Sequence, residues 1–236
     1  TAPDVVTEMF AAYRTSLDSL EGKLGNAFSD AVDLLEEMSG TLVVCGIGKS
    51  GLVGAKITAT LTSTGTPSVF LHPAEAMHGD LGIVRKGDVV ILISNSGETE
   101  EITRLLPALK RLAVRIIALV GNVDSTMARA ADICLDAAID KEACPLNLAP
   151  TTSTLAALVL GDALAVALME RRGFRPADFA ATHPGGKLGK KLLHTAKDHM
   201  RSHDLPFVDL KMVMSEVVAV MTCLLYTSPS PRDGLL

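Results

Sequence analysis

Residues 88–93 read Asp-Val-Val-Ile-Leu-Ile, and the residue types change abruptly at Ser94-Asn95-Ser96-Gly97-Glu98-Thr99. A buried-strand pattern breaks there into small hydroxyl and amide side chains. Helix formers follow over 100–112, with Glu100 and Glu101 in the first turn and Thr103 beyond. A strand emptying into such a loop at a helix start gathers backbone N–H groups and hydroxyl donors, which suits an anion such as a sugar phosphate. An ordinary helix capped by Ser or Thr would use the same residues. Glu98, Glu100 and Glu101 also occupy positions that the helix dipole favours for acids, so position alone assigns none of them chemistry.

Gly46-Ile47-Gly48-Lys49-Ser50-Gly51 fits G-x-G-x-x-G and contains Gly-Lys-Ser. A P-loop needs glycine where Val43 stands. A dinucleotide site needs an acid after the second strand, where the chain has Leu71 and His72. Lys49 is the odd residue, because a cation at a helix N-terminus is disfavoured unless an anionic ligand lies near or the side chain reaches water.

Further polar residues punctuate the chain. His72 and His78 flank Glu75 but lack a third ligand at a recognisable spacing, so no metal is assigned; they suit sugar hydroxyls or an ordinary loop equally. Glu142 lies in a loop bounded by Pro145, with no helix to serve, while Thr151, Thr152 and Ser153 cap the apolar stretch that follows. His183 precedes Pro184 and is therefore expected in an extended, non-helical position.

The elements that must position these residues are legible. Amphipathic patterns over 5–20 and 24–38 precede five strand-like runs at 41–45, 67–71, 88–93, 114–120 and 133–137. Continuous apolar strands alternating with helices predict an α/β fold, a parallel sheet covered on both faces. Its ligands belong beyond the strands' carboxyl ends, where the polar residues fall. The most apolar segment, 155–169, is shorter than the roughly 20 residues a bilayer needs and holds Gly161 and Asp162; it reads as a buried helix. With too few polar positions to face water, the helix 151–171 predicts, together with the N-terminal helices, at least a dimer and more readily a tetramer.

Hydrophobic content of 48% supplies a core, and a formal net charge of −5 disfavours a nucleic-acid surface. The four cysteines show no C-x-x-C pair; Cys45 and Cys134 sit in strand-like runs, as reduced core residues of a cytoplasmic protein would. No signal peptide opens the chain, and Thr1 in place of Met points to residues missing before it. A boundary is expected near Asp198, followed by a strand-to-helix pattern up to Thr222. Residues 223–236 then break into Ser-Pro-Ser-Pro and read as a non-native tail. Residues 198–236 are expected to be dispensable for chemistry, since every candidate precedes them.

In order, the chain contains Gly-x-Gly-Lys-Ser-Gly, Ser-Thr-Gly-Thr-Pro, His-Pro-x-Glu-Ala-x-His-Gly-Asp-Leu-Gly, Ser-Asn-Ser-Gly-Glu, Lys-Glu-Ala-Cys-Pro-Leu and His-Pro-Gly-Gly. Over residues 1–222 it resembles the D-arabinose 5-phosphate isomerases of the sugar isomerase (SIS) domain family. That resemblance implies a flavodoxin-like five-stranded parallel sheet over 1–197 and the start of a CBS module over 198–222. It implies interconversion of D-ribulose 5-phosphate and D-arabinose 5-phosphate, feeding Kdo and lipopolysaccharide synthesis in a Gram-negative-type bacterium, with no cofactor. Motif by motif, it implies Lys49, Glu101, Glu142 and His183 as catalytic. Gly65, Thr66, His72, His78, Ser94, Asn95, Ser96, Gly97, Glu98, Thr99 and Thr103 are implied to bind substrate.

Such an isomerisation moves a proton between C1 and C2 through an enediolate, so it needs a base and a stabiliser of the developing oxyanion. Position in the sequence favours Glu142 as the base, away from any helix N-terminus that would hold its pKa low, and Glu101 as a positioning group. A different sugar-phosphate isomerase and a non-catalytic sugar-phosphate-sensing SIS domain are the alternatives. The sensing proteins usually carry a helix-turn-helix domain before the SIS domain.

Overall fold

Alternate strand residues feed two hydrophobic cores. Val44, Ile91 and Ile93 enter one, and Val43, Cys45, Val90 and Leu92 the other. This is the period of two that a sheet buried on both faces requires. The computed structural model describes residues 1–185, 195 and 208–225. Its strands are β1 (Leu42–Gly46), β2 (Ser68–Leu71), β3 (Val89–Ser94), β4 (Arg115–Val120) and β5 (Ile133–Asp136). They form a five-stranded sheet in the order β2-β1-β3-β4-β5, with every pairing parallel. All the expected strands are present, with boundaries moved by a residue or so.

One face is covered by α1 (Ala2–Gly22), α2 (Asn26–Glu36), α3 (Gly48–Ser63) and α8 (Thr152–Arg171). The other carries α4 (Pro73–Met77), α5 (Glu100–Thr103), α6 (Leu106–Arg111) and α7 (Thr126–Ala130). The single helix expected over 100–112 is two helices. Pro107 has no N–H to offer the Thr103 carbonyl, and the chain tightens there through a Leu105 N to Ile102 O bond of 3.0 Å. After α8 comes α9 (Pro176–Thr182).

The glycine motif after β1 is explained by packing. A Cβ on Gly51 would lie 2.7 Å from the Gly46 carbonyl oxygen, so the first turn of α3 rests directly on the end of β1. Gly48 takes a φ of 60°, which favours glycine. Nothing in this turn requires a dinucleotide.

By length and composition α8 would cross a membrane, yet Ala156, Leu160, Leu164 and Leu168 are buried in the core. Its polar interruption is answered by Lys56 of α3, whose Nζ lies 2.5 Å from Asp162 Oδ1. Beside it, Gly161 allows α3 close. A Cβ there would lie 2.4 Å from Ile57 Cδ1 and 2.9 Å from Cγ2 of the same β-branched side chain.

Packing separates Thr1–His183 from Pro184–Leu236. The described part of the second unit is mainly a helix, Met214–Leu225. It continues through Cys223, Leu224 and Leu225, although the residues from 223 on were expected to interrupt it. Leucine is a good helix former, and the first proline is Pro229. The expected boundary at Asp198, and residues 226–236, lie outside the described residues.

Gly161→Ala gains about 1 kcal/mol of helix propensity but overpacks Ile57 at about 1–3 kcal/mol, so a net loss of stability is expected. Ile57→Ala in the same chain should make the second substitution less costly than alone, a non-additivity that urea unfolding of the double-mutant cycle measures.

Candidate functional site

The strand order reverses between β1 and β3, and in open parallel sheets the crevice beyond that point takes ligands. A cavity of about 450 Å³ opens here. Lys49 and Ser50 come from the first turn of α3, and Asn95 from the end of β3. Asp140, Lys141, Glu142 and Asn147 come from the loop after β5, and Ser153 from α8. The volume matches a small ligand, and the lining is mostly polar. Lys49 is exposed, and its Nζ has no hydrogen bond or ion pair among the described residues. A smaller cleft of about 270 Å³ lies on the α1 side of the same loop, between Glu8, Thr15, Asp140 and Lys141. It holds none of the implied catalytic residues.

Glu142 does serve a helix, contrary to the sequence expectation. Its Oε2 accepts from Thr151 N at 2.7 Å, Thr151 Oγ1 at 3.0 Å and Ser153 N at 3.2 Å, and its Oε1 accepts from Ser153 Oγ. The carboxylate thus closes the N-terminus of α8 from outside the helix. Partial burial works against its ionisation. The donors on Ser153 and Thr151 outweigh that and hold the carboxyl below the usual glutamate range. The loop is latched as well. Asn147, in the left-handed region at φ 51°, accepts from Glu142 N through Oδ1 at 2.6 Å. Cys144 Sγ accepts from Leu148 N and Ala149 N, which lowers the thiol's pKa.

The loop after β3 is partly occupied by its own bonds. Ser94 Oγ accepts from Gly97 N at 3.0 Å and lies 2.7 Å from Thr99 Oγ1, and Ser96 Oγ accepts from Glu98 N. Ser94 is buried, so it shapes the loop from within. Gly97 adopts φ 67°, and a Cβ there would sit 2.0 Å from Ser125 Oγ. Glu98 accepts from Thr126 N at 2.7 Å, and that bond lowers its pKa. It serves α7 rather than the helix that follows it. Asn95 and Ser96 remain exposed, while Thr103 Oγ1 turns back onto the Glu100 carbonyl. Glu101 is exposed on α5, outside the cavity lining.

His72 follows β2 and caps α4, its Nδ1 accepting from Ala74 N at 3.3 Å; His78 ends that helix, exposed. Among the described residues, no three of His, Cys, Asp or Glu group as a metal site.

Gly65, Thr66 and His183 lie elsewhere. Gly65 and Thr66 precede β2, at the opposite end of the sheet from Lys49. Thr66 is 1% exposed and accepts from Arg172 Nη1 at 2.8 Å, and a Cβ on Gly65 would meet the Phe174 ring. His183 ends α9 with φ −127° and ψ 57°, non-helical as expected before proline but not extended. It stacks on Phe179 at 3.9 Å, and Thr182 Oγ1 next to it donates to Ser63 O at the C-terminus of α3. From Lys49 to Ser63 that helix rises about 20 Å. Within one chain, His183 does not reach the cavity.

A family model described as SIS domain matches residues 37–167. The chain belongs to the SIS domain family. This SIS domain is 53% identical over 210 residues to arabinose 5-phosphate isomerase KdsD of Pseudomonas aeruginosa, matching 89% of this chain and 64% of the relative. It is 54% identical over 197 residues to the KdsD of Escherichia coli strain K12, matching 84% and 60%. The chain therefore spans less than two thirds of these relatives' length. Among solved structures it is similar to a protein of Escherichia coli CFT073 in complex with arabinose 5-phosphate. The TM-score is 0.75 at 40% identity, covering 78% of this chain and 97% of that one.

Ser50, Asp140 and Asn147 were not singled out from sequence. The available signal was the run Thr151-Thr152-Ser153: a helix starting there carries N–H groups that need acceptors, and Glu142 is the preceding acid nearest the loop's end. Because Glu142 has a lowered folded pKa, the stability it lends α8 is present above the unfolded value of 4.5 and is lost as pH falls through the folded value. Glu142→Gln should accordingly lower the melting temperature at neutral pH and approach wild type in acid, as thermal denaturation across pH measures.

Proposed function

We propose that this SIS domain is an aldose–ketose isomerase interconverting D-ribulose 5-phosphate and D-arabinose 5-phosphate, with Glu142 as the base. One observation carries the reading: at the sheet's switch point, a carboxylate with an open lone pair shares a cavity with a lysine, neither having a further partner among the described residues. The relatives named arabinose 5-phosphate isomerase support the substrate. Distance from a helix N-terminus, the sequence ground for choosing Glu142 over Glu101, does not hold. Placement replaces it, since reach comes before pKa in selecting a base.

In this mechanism Glu142 takes the proton from C1 of the ketose. The resulting enediolate carries its charge near Lys49. The proton returns to C2 while the O1 hydroxyl proton passes to O2, so that C1 becomes the aldehyde; the face of C2 that is protonated decides between arabinose and ribose. Asn95, Ser96 and the neighbouring backbone suit the phosphate, with Lys49 close by. Neither a cofactor nor a metal is needed for this proton transfer. His72 and His78 follow β2 outside the cavity lining, and on the resemblance alone they bind sugar hydroxyls.

The remaining implied residues suggest an assembly. Gly65, Thr66 and His183 share one end of the domain, and Lys49 and Glu142 the other. We propose that a complete site joins the two ends from different copies in an oligomer, a dimer or tetramer. Exposed Val5, Val6 and Phe10 on α1 and Val166 on α8 supply apolar surface for it. The cytoplasm suits the unpaired thiols of Cys45, Cys134 and Cys144, the first pushed up to about 12 by burial. On the resemblance alone, residues 198–222 are the beginning of a CBS module and the product feeds Kdo and lipopolysaccharide synthesis.

Glu142→Gln should lower turnover by about 10²–10⁴ while substrate still binds. Exchange of the C1 or C2 proton with deuterated solvent decides the role. Wild-type exchange in Glu142→Gln together with loss in Glu101→Gln would reverse the two glutamates, and production of ribose 5-phosphate by the wild type would overturn the arabinose assignment.

Shared sites make a second prediction. Lys49→Ala and His183→Ala chains, each inactive alone, should regain part of the wild-type turnover when refolded together. Equal inactivity of the mixture would overturn the site shared between copies.

A further inference from the structure

The four hydrogen bonds to Glu142 are divided unequally between its two oxygens. Oε2 takes three donors: Thr151 N at 2.7 Å, Thr151 Oγ1 at 3.0 Å and Ser153 N at 3.2 Å. A carboxylate offers about four lone-pair sites, two on each oxygen. Oε2 is thus filled by the start of α8. The Thr151 hydroxyl is itself oriented, because its oxygen accepts from Ala143 N at 2.9 Å and its proton is left to point at Oε2. Among the described residues Oε1 takes one donor only, the Ser153 hydroxyl. That leaves one of its lone pairs open, and Ser153, Lys49 and Asn95 line the same cavity.

We propose that Ser153 is a positioning residue for the isomerase reading above: its hydroxyl fixes Glu142 so that Oε1 alone faces the substrate carbon, with Oε2 committed to α8. The proton leaves C1 for the open lone pair of Oε1 and returns from it to C2 as the O1 hydroxyl proton passes to O2, and Ser153 keeps its own proton throughout. A backbone N–H could not do this, since those of Thr151 and Ser153 already converge on the other oxygen. Lys49, Asp140 and Lys141 are the charged groups lining the cavity with Glu142. Glu8 of α1 and Cys144 line a third cleft, which Lys141 and Glu142 line as well. None of these five makes a hydrogen bond to either carboxylate oxygen among the described residues.

Ser153 thereby differs from a mere helix cap. Its hydroxyl stabilises the charged form of Glu142, so removing it should move the titration midpoint of Glu142 upward by about one pH unit. Turnover should fall by about 10–100-fold through misplacement of the base, with KM little changed. The experiment uses the full chain labelled with ¹³Cδ-glutamate, with Glu142→Gln to assign the resonance. Titration is paired with ribulose 5-phosphate kinetics for wild type, Ser153→Ala, Ser153→Cys and Ser153→Thr. Ala and Cys should both raise the midpoint and lower kcat, and Thr should restore both. Cys preserves packing volume and carries the test if Ala does not fold. Midpoints and kcat equal to wild type in the Ala and Cys chains would overturn the role of Ser153. A wild-type chain that titrates normally but does not isomerise ribulose 5-phosphate would overturn the isomerase reading instead.

Discussion

A long helix that starts inside a protein has N–H groups with no partner in the helix, and the structure around α8 is organised by that need. Thr152 and Ser153 are buried at its first positions, where water cannot serve the backbone. Glu142 comes back from the preceding loop to accept from Thr151 and Ser153. To do so, the loop between Ile139 and Pro150 must fold over the end of the sheet. Asn147 and Cys144 hold it there by accepting the loop's own N–H groups. The same bonds that finish the helix hold a carboxylate at the wall of the cavity that Lys49 also lines. On the proposed isomerase reading, capping and chemistry share one side chain, and the loop cannot be rebuilt for one without disturbing the other.

The second constraint is how close backbones come. α3 rests on the end of β1 through Gly46 and Gly51 and against α8 through Gly161. These contacts bring Lys49 at the head of α3, and Ser153 at the head of α8, to the same cavity. At the end of β4, a Cβ on Gly121 would lie 2.4 Å from Asn95 Oδ1, so glycine there leaves room for the Asn95 side chain. Glycines spaced like a nucleotide fingerprint thus do the mechanical part of that motif, the tight turn and close helix packing, without its ligand.

The sheet was legible because fully buried strands write continuous apolar runs, such as 89–93 and 116–120, whose ends need little interpretation. The order of strands was implied by resemblance, since apolar runs do not state their neighbours. Helix continuity over 100–112 was misread because Pro107 sits late in a strong helical pattern and breaks it from within. Of the site, Lys49, Asn95 and Glu142 were placed correctly as strand-end residues. The surroundings of Glu142 were not, because its partners lie nine to eleven positions further on, in an element that looked self-sufficient. Ser94 and Glu98 read as substrate contacts because hydroxyls and acids in a loop look free. In the fold one ties the loop together and the other caps α7.

Distance along a helix settles what a one-dimensional motif cannot. Ser-Thr-Gly-Thr-Pro and His-Pro stand far apart in sequence, yet both end at the foot of α3, where Thr182 meets Ser63 and Arg172 meets Thr66. Lys49 stands at the head of the same helix. A stiff rod about 20 Å long separates the two groups, and no rotamer change closes that gap. Residues that act on one small sugar must lie within a few ångströms of it. If all of these motifs serve one substrate, the foot of one domain has to meet the head of another. On the proposed assembly the domain's shape makes association part of the active site, with the exposed apolar residues of α1 and α8 available to hold the copies together.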